Sequence, residues 1–195
     1  MPRFSTLQPV CEDFKCIMEW KSIQEEKAWQ KRKENLKFDN YSSDGYRSKV
    51  IQPLVNEIAR LIDFGQPCIA SGRYTGKMAG GHWVSCGSNR STSLNLHNIH
   101  VQSFESNSFK SGDESNYRLG IIKTYGKEYF EFMDGLIYTK GIDLSKERLS
   151  ELKPIITQIR NDLKRESKKY SPQERIELRN EVNEKIGIYS EIFTN

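Results

Sequence analysis

Apolar residues recur three to four positions apart near the start of the chain, which predicts a helix from about residue 14 to residue 37. Phe14, Ile17 and Met18 begin this partial stripe, and the run Lys31-Arg32-Lys33-Glu34 belongs to its charged side. The charged side is either plain solvated surface or an arm that contacts DNA. Residues 1–13 show no periodicity and are interpreted as an irregular arm.

A second helix is predicted from about residue 46 to residue 62, because six apolar residues there share one face. They are Val50, Leu54, Val55, Ile58, Leu61 and Ile62. Pro53 lies inside this stretch and predicts a kink or a later start, and Gly65 is the expected C-terminal cap.

Residues 66–103 are rich in Gly, Ser, Asn and β-branched residues, which favours short strands and loops over helices. A strand is predicted from Leu96 to Val101. The alternation of side chains along a strand would put Asn98 and His100 on one face and His97 on the other.

Helical pattern returns from Tyr117 with a break near Gly126, and two long helices are predicted to close the chain. The last one opens with Ser171-Pro172-Gln173-Glu174, a capping box with proline at the first helical position. The pattern predicts an α+β fold in three parts: an arm and charged helix over 1–45, a helix with a small β-containing core over 46–135, and a helical region over 136–195.

Composition narrows the class of protein without identifying it. The 195 residues carry a net charge of +4, 29% charged residues and a mean hydropathy of −0.71. No apolar run approaches the roughly 18 residues of a membrane span, and the N-terminus lacks the apolar core of a signal peptide. Four cysteines in no CxxC pair favour reduced thiols. We expect a cytoplasmic protein, with no membrane partner.

The distribution of charge says more than the total. Between Asp63 and Glu105 there are 41 residues without Asp or Glu, although Arg73, Lys77 and Arg90 lie there. All three histidines also fall in this segment. Few carboxylates and several histidines suit a surface that meets phosphates. Residues 153–169 carry a further local excess of basic residues. We expect part of this basic face to be solvated surface and part to contact DNA.

The same segment contains the residue types that phosphodiester hydrolysis needs. A neutral histidine such as His82 can activate water. A divalent cation can neutralise charge on the phosphate, and Mg²⁺ prefers oxygen ligands. Because amides dominate the oxygen donors of this segment, an Asn carbonyl is the expected protein ligand.

The order His82, Asn98, Asn107-x-x-Lys110 resembles that of HNH, or ββα-metal, nucleases. The amino-acid sequence is more similar to the phage NinG/Rap recombination proteins, which are associated with cleavage of Holliday junctions and branched DNA. The matching stretches are Gln66 to Gly72, Ala79 to Trp83, Leu94 to Gln102, Asn107 to Gly112, Tyr117-Arg118 and Tyr125 to Glu128.

The resemblance implies a small ββα-metal (His-Me finger) core flanked by long N- and C-terminal helices. It implies that His82 activates water, that Asn98 braces the loop holding His82, and that Asn107 ligates Mg²⁺ or Mn²⁺. The expected nucleic-acid contacts, as a group, are Arg73, Arg90, His100, Lys110 and Arg118.

Two departures from the family pattern matter. Relatives commonly carry a structural zinc on two pairs of cysteines, but here the pairs read Cys68-x-x-Ser71 and Ser103-x-x-Ser106. Serine hydroxyls are poor zinc ligands, so no structural zinc is expected. The second departure is Gly81, where many HNH enzymes have an Asp that also binds the metal.

The resemblance therefore predicts an HNH-type endonuclease that acts on branched or double-stranded DNA in the bacterial cytoplasm. A homodimer is expected, because a four-way junction needs two matched cuts. Two alternatives stay open: a DNA-binding or architectural recombination protein with a decayed nuclease core, and a nuclease that acts on RNA.

Overall fold

The computed structural model describes residues 13–109 and 112–194, except for the side chains of Lys37 and Phe109. Lys110, one of the predicted DNA contacts, lies outside the described residues. The chain divides into two compact units, one up to Ser42 and one from Ser43 onward. No helix in the described ranges has both the length and the apolar character that a bilayer crossing requires.

The first unit consists of one long helix, α1 (Phe14–Asn40), which confirms the helix predicted there. The Asp13 side chain caps it by accepting hydrogen bonds from the backbone N–H groups of Lys15 and Cys16. Apolar side chains stay exposed within this unit, among them Phe14 and Trp29.

The second unit begins with a helical rod whose middle turn is wider than an α-helix. It comprises α2 (Ser43–Tyr46), a π-helical turn (Arg47–Ile51) and α3 (Gln52–Ile62). Pro53 is the second residue of α3, and the π-turn lies directly before it. The predicted later start is wrong, because helical structure already begins at Ser43 and continues through the π-turn.

A two-stranded antiparallel sheet follows, made of β1 (Met78–His82) and β2 (Ile99–Ser103). Gly81 pairs with His100, and His82 pairs with Ile99. The predicted strand start at Leu96 is wrong, because Leu96–Asn98 forms a 3-10 turn. The side chain of Asn95 caps this turn by accepting from the His97 N–H.

Helices after β2 cover one face of the sheet. A π-helical turn (Glu105–Phe109) leads to α4 (Glu114–Tyr125) and α5 (Lys127–Gly135). Gly126 separates the two helices, as predicted, because its positive φ of 96° suits glycine. The order strand, strand, helix and the many flanking helices fit the predicted α+β class.

The C-terminal region contains a 3-10 turn (Leu136–Tyr138), α6 (Lys146–Glu166) and α7 (Pro172–Ile186). The predicted capping box is present, with Ser171 and Glu174 bonding each other's backbone N–H. α6 packs against α3, so the division predicted at residue 135 falls inside the second unit. On the basic stretch of α6, Arg160 pairs with Glu57 and Arg165 pairs with Asp162.

A buried ion pair joins α7 to the end of α3. The Arg179 guanidinium donates to both carboxylate oxygens of Asp63 at 2.9 Å, and both side chains are at most 1% exposed. The same carboxylate accepts the N–H of Val101 in β2, at 2.9 Å. The pair therefore fixes the sheet between two helices.

Candidate active site

His82 lies at the end of β1, and its hydrogen bonds fix which ring nitrogen carries the proton. Nε2 lies 3.0 Å from the carbonyl oxygen of Ser93 and 3.1 Å from the amide nitrogen of Gln52. That amide has two hydrogens, which are donated to Asn56 and to the Ser93 oxygen. His82 Nε2 must then be the donor to Ser93, so Nδ1 is the unprotonated nitrogen and a proton acceptor.

The orientation of the Gln52 amide is itself fixed. Its oxygen accepts from Arg47 at 3.4 Å, and Arg47 forms an ion pair with Asp44 at 2.7 Å. The π-turn that begins at Arg47 ends just before Gln52, so it sets the spacing of these two side chains. The rod therefore positions the imidazole of His82 through the side chains of Arg47 and Gln52.

The environment keeps His82 neutral. Burial lowers the pKa of the imidazole below its ordinary value of 6.5, and the nearby Arg47 charge lowers it further. The hydrogen bond to Ser93 opposes these effects without reversing them. At neutral pH the ring is therefore a base with a free site for a proton.

Asn98 joins the two ends of the loop that follows β1. Its side-chain oxygen accepts from the Val84 N–H at 2.8 Å, and its amide nitrogen donates to the Val84 oxygen at 3.0 Å and the Thr92 oxygen at 3.2 Å. The side chain is fully buried. Its contacts hold the loop that begins directly after His82.

His82 and Asn107 line the same cleft, which has a volume of about 670 Å³. Asn107 comes from the π-turn after β2, and the mouth of the cleft also carries Glu114 at the start of α4 and Asp134 at the end of α5. Asp134 is held by the indole N–H of Trp83, at 2.9 Å.

These two carboxylates correct the expectation that the surface around His82 has few carboxylates and meets phosphates directly. The segment around His82 has no acids of its own, but α4 and α5 bring Glu114 and Asp134 to the cleft. Among the described residues that line it, none is Lys or Arg. The cleft therefore attracts a cation and repels a bare phosphate.

His100 is not available to DNA or to a metal, which corrects its predicted role. It is fully buried, with Nδ1 3.0 Å from the Tyr117 hydroxyl and Nε2 3.5 Å from the Tyr129 hydroxyl. His97 also contacts Tyr129, at 3.0 Å. The predicted opposite faces for these two histidines are wrong, because the 3-10 turn at Leu96–Asn98 replaces the strand alternation there.

The predicted DNA contacts lie at different distances from the cleft. Arg118 borders it, since its neighbouring surface hollow shares Trp83, Glu114 and Asp134 with the cleft, and its guanidinium lies 5.1 Å from the ring of Phe130. Arg90 is exposed in the loop after His82, with Asp44 3.5 Å away. Arg73 is exposed in the turn after Cys68, and it is not among the described residues that line the cleft.

The residues at the four zinc-ligand positions lie together and bond one another. Cys68 Sγ accepts the N–H of Ser71 at 3.4 Å, and the Ser103 hydroxyl accepts the N–H of Ser106 at 3.2 Å. Burial raises the pKa of Cys68, but hydrogen bonds with Ser103 and Ser71 outweigh it and lower the pKa to about 7. No group of three or more His, Cys, Asp or Glu that could hold a metal occurs among the described residues.

We expect the protein to keep its fold without zinc. In buffer without added divalent cations, chelation by EDTA should leave the Tm unchanged, because the N–H groups of Ser71 and Ser106 bond the Cys68 sulfur and the Ser103 hydroxyl in place of a metal. Differential scanning fluorimetry with and without EDTA measures this. The triple variant S71C/S103C/S106C is the matched comparison, since restoring three thiols should make the Tm depend on zinc; an EDTA-sensitive Tm in the original chain would contradict the expectation.

Sequence reasoning missed Gln52, Arg47, Glu114 and Asp134. Gln52 is 30 residues from His82, and no local pattern links a helix residue to a histidine at that separation. The two carboxylates resembled ordinary helix-surface residues. Only its place in the first turn of α4, where an acidic residue is favoured, marked Glu114 locally.

One of the comparisons with known proteins identifies a family. The family model described as Bacteriophage Lambda NinG protein matches residues 15–169, which includes α1, the sheet, the cleft and α6. No curated protein matches the chain. No solved structure matches it either.

Proposed function

The chain belongs to the bacteriophage lambda NinG family, a phage recombination family, and we propose that it is a metal-dependent DNA endonuclease of the HNH type. The observation that carries the proposal is that His82 and Asn107 line one cleft, as a hydrolytic site of this type requires. Its substrate would be branched or double-stranded DNA formed during recombination.

His82 has the properties of the general base. Its Nε2–H is engaged by Ser93, so Nδ1 can take the proton of a water molecule that attacks phosphorus. The lowered pKa keeps this nitrogen unprotonated at neutral pH. Asn98 would act as a positioning residue, since it bonds Val84 and so holds the loop behind the base.

The donor set of the cleft fits a hard divalent cation. Asn107, Glu114 and Asp134 line the same cleft, and Mg²⁺ and Mn²⁺ take oxygen ligands such as amides and carboxylates while keeping several waters. When bound, the cation would supply positive charge for the phosphate. The charge of the cleft favours a bound cation, because without one the two carboxylates at its mouth would repel DNA.

Contacts to the DNA backbone would come from the basic side chains around the cleft. Arg118 borders the cleft, Arg90 lies in the loop after His82, and Lys110 follows Asn107 in the chain. Each phosphate contact adds affinity that falls with salt. A homodimer would allow matched cuts in a four-way junction.

Cleavage of labelled DNA tests the proposal. With Mg²⁺ or Mn²⁺, we expect the protein to cut a branched substrate, and His82→Gln to slow cleavage by about 100- to 10,000-fold, because glutamine can donate to Ser93 but cannot take up a proton. The rate of the unsubstituted protein should stay level down to about the ordinary histidine value of 6.5, since the folded pKa is lower.

The matched control is Lys127→Gln, an exposed change on α5 that should leave the rate unchanged. A panel of junction, flap, duplex, single-stranded DNA and RNA separates the alternatives. Equal inertness of the original chain and H82Q on every substrate, with DNA binding retained, would support a decayed architectural protein. Preferential cutting of RNA would reassign the substrate.

A further inference from the structure

Gln102 fills the space beside Gly81, the residue before the proposed base. A Cβ built on Gly81 would overlap the side-chain oxygen of Gln102 and lie 2.8 Å from its Cβ and 2.9 Å from its Cδ. Real Cβ atoms do not approach other atoms this closely. The Gln102 amide therefore occupies the place that any side chain at position 81 would take.

The amide of Gln102 is buried and held in one orientation. Its nitrogen donates to the carbonyl oxygen of Gly112 at 2.5 Å, so the oxygen, Oε1, is the free end of the group. Among the described residues Oε1 has no hydrogen-bond donor. A buried oxygen without a partner destabilises the folded protein, and an electropositive ligand would recover that loss.

Gln102 does not itself line the cleft, but its side chain lies directly behind a residue that does, Gly112. Gly112 and Asn107 both line the cleft, and the Gly112 N–H bonds the Ser106 oxygen, which closes the turn that carries Asn107. From the other side, the Tyr117 hydroxyl bonds the Gly81 oxygen at 3.0 Å, and Tyr117 lines the cleft as well. Gln102 Oε1 is thus enclosed between Gly81 and the turn of Asn107.

We propose that Gln102 Oε1 is a further protein ligand of the divalent cation, in addition to Asn107. It would replace from β2 the oxygen that a side chain at position 81 cannot supply. The inference rests on the proposed function. An amide oxygen is a suitable ligand for Mg²⁺ or Mn²⁺, although as a neutral group it binds more weakly than a carboxylate.

Binding of Mn²⁺ alone, measured by electron paramagnetic resonance of the free ion, tests the ligand without DNA or turnover. Relative to the unsubstituted protein, Gln102→Met should weaken Mn²⁺ binding at least about tenfold, since it removes the oxygen while nearly keeping the volume. Gln102→Glu keeps an oxygen at the position of Oε1 and adds a negative charge, so it should tighten binding although its second oxygen no longer donates to Gly112. Gln158→Met, on the exposed face of α6, is the matched control and should bind as the unsubstituted protein does.

A double exchange tests the position directly. Gly81→Asp alone should destabilise the fold through overlap with Gln102, whereas G81D/Q102A should fold and bind Mn²⁺ at least as tightly as the original chain. Circular dichroism in EDTA checks folding for every variant, and Q102E serves if Q102M does not fold.

The outcomes separate this inference from the proposed function. If Q102M and Q102E bind Mn²⁺ like the original chain while Asn107→Ala does not, Gln102 is no ligand and the endonuclease proposal stands. If the original chain neither binds Mn²⁺ nor cuts any substrate, both proposals fail. Weakened binding in Q102M with tighter binding in Q102E is the result that supports the ligand.

Discussion

Replacing Arg179 by methionine is expected to lower the free energy of unfolding by about 3 to 5 kcal/mol. The change removes both 2.9 Å hydrogen bonds from Arg179 and leaves the buried Asp63 carboxylate with the longer ion pair to Arg175, at 3.8 Å, and a buried charge that loses its hydrogen-bonded partner is costly. Burial lowers the pKa of Arg179, but the Asp63 carboxylate outweighs it and raises the pKa overall, so the guanidinium is charged in the folded protein. Urea denaturation followed by circular dichroism measures the loss.

Two controls identify the charge as the cause. D63N/R179M removes the carboxylate while leaving an oxygen for the Val101 N–H, so it should recover a large part of the loss. Lys185→Met removes a cation of the exposed pair with Glu181 on the same helix and should cost less than about 0.5 kcal/mol. A loss in R179M as small as that in K185M would show that the pair does not hold α7 to the core.

Acidification from pH 7 to pH 5 is expected to lower the free energy of unfolding by about 4 kcal/mol through His97 and His100, and further through His82, whose pKa burial also lowers. Burial lowers the pKa of His97 to about 3, with the Arg179 charge adding to the effect and the Asn180 hydrogen bond opposing it. Burial also places the pKa of His100 well below 6.5, again with help from Arg179. Urea midpoints at several pH values measure the change.

The sign follows from proton binding. Below the unfolded pKa of about 6.5 the unfolded chain takes up protons that the folded chain does not, so unfolding is favoured as the pH falls. The stabilisation is complete above that pKa and is lost progressively towards the folded values, at about 2 kcal/mol for each histidine between pH 7 and pH 5. Low folded pKa values keep Asp44 and Glu174 ionised in this window.

His97→Gln provides the matched test. Glutamine can bond Asn180 and Tyr129 but does not titrate, so the loss of stability between pH 7 and pH 5 should shrink by about 2 kcal/mol even if the variant is less stable at pH 7. An unchanged pH dependence in H97Q would mean that His97 already binds its proton in the folded protein.

The cleft illustrates how charge along a sequence differs from charge in space. The acid-free stretch from residue 64 to residue 104 forms the back of the site, where Ser93 and Gln52 hold His82. Glu114 and Asp134, at its mouth, come from later helices. The proposed site therefore needs a bound cation before DNA can approach, rather than a basic pocket.

Local signals in the sequence determined most of the secondary structure. The periodicity of residues 14–37, the Ser171–Glu174 capping box and the break at Gly126 each act through residues a few positions apart, so the sequence suffices to place them. The spacing of His82, Asn98 and Asn107 also indicated one site, and the two that line the cleft are the outer members of that pattern.

Only the tertiary structure decided which of these side chains face the cleft. His100 is buried in the core because Tyr117 and Tyr129 pack over it. Gln102 faces Gly81 because the antiparallel register brings the two strands together. Such contacts join residues far apart in the chain, and their burial depends on every element that packs nearby. Sequence periodicity reports the face of one element at a time, whereas the environment of a titratable group is set by all its neighbours at once.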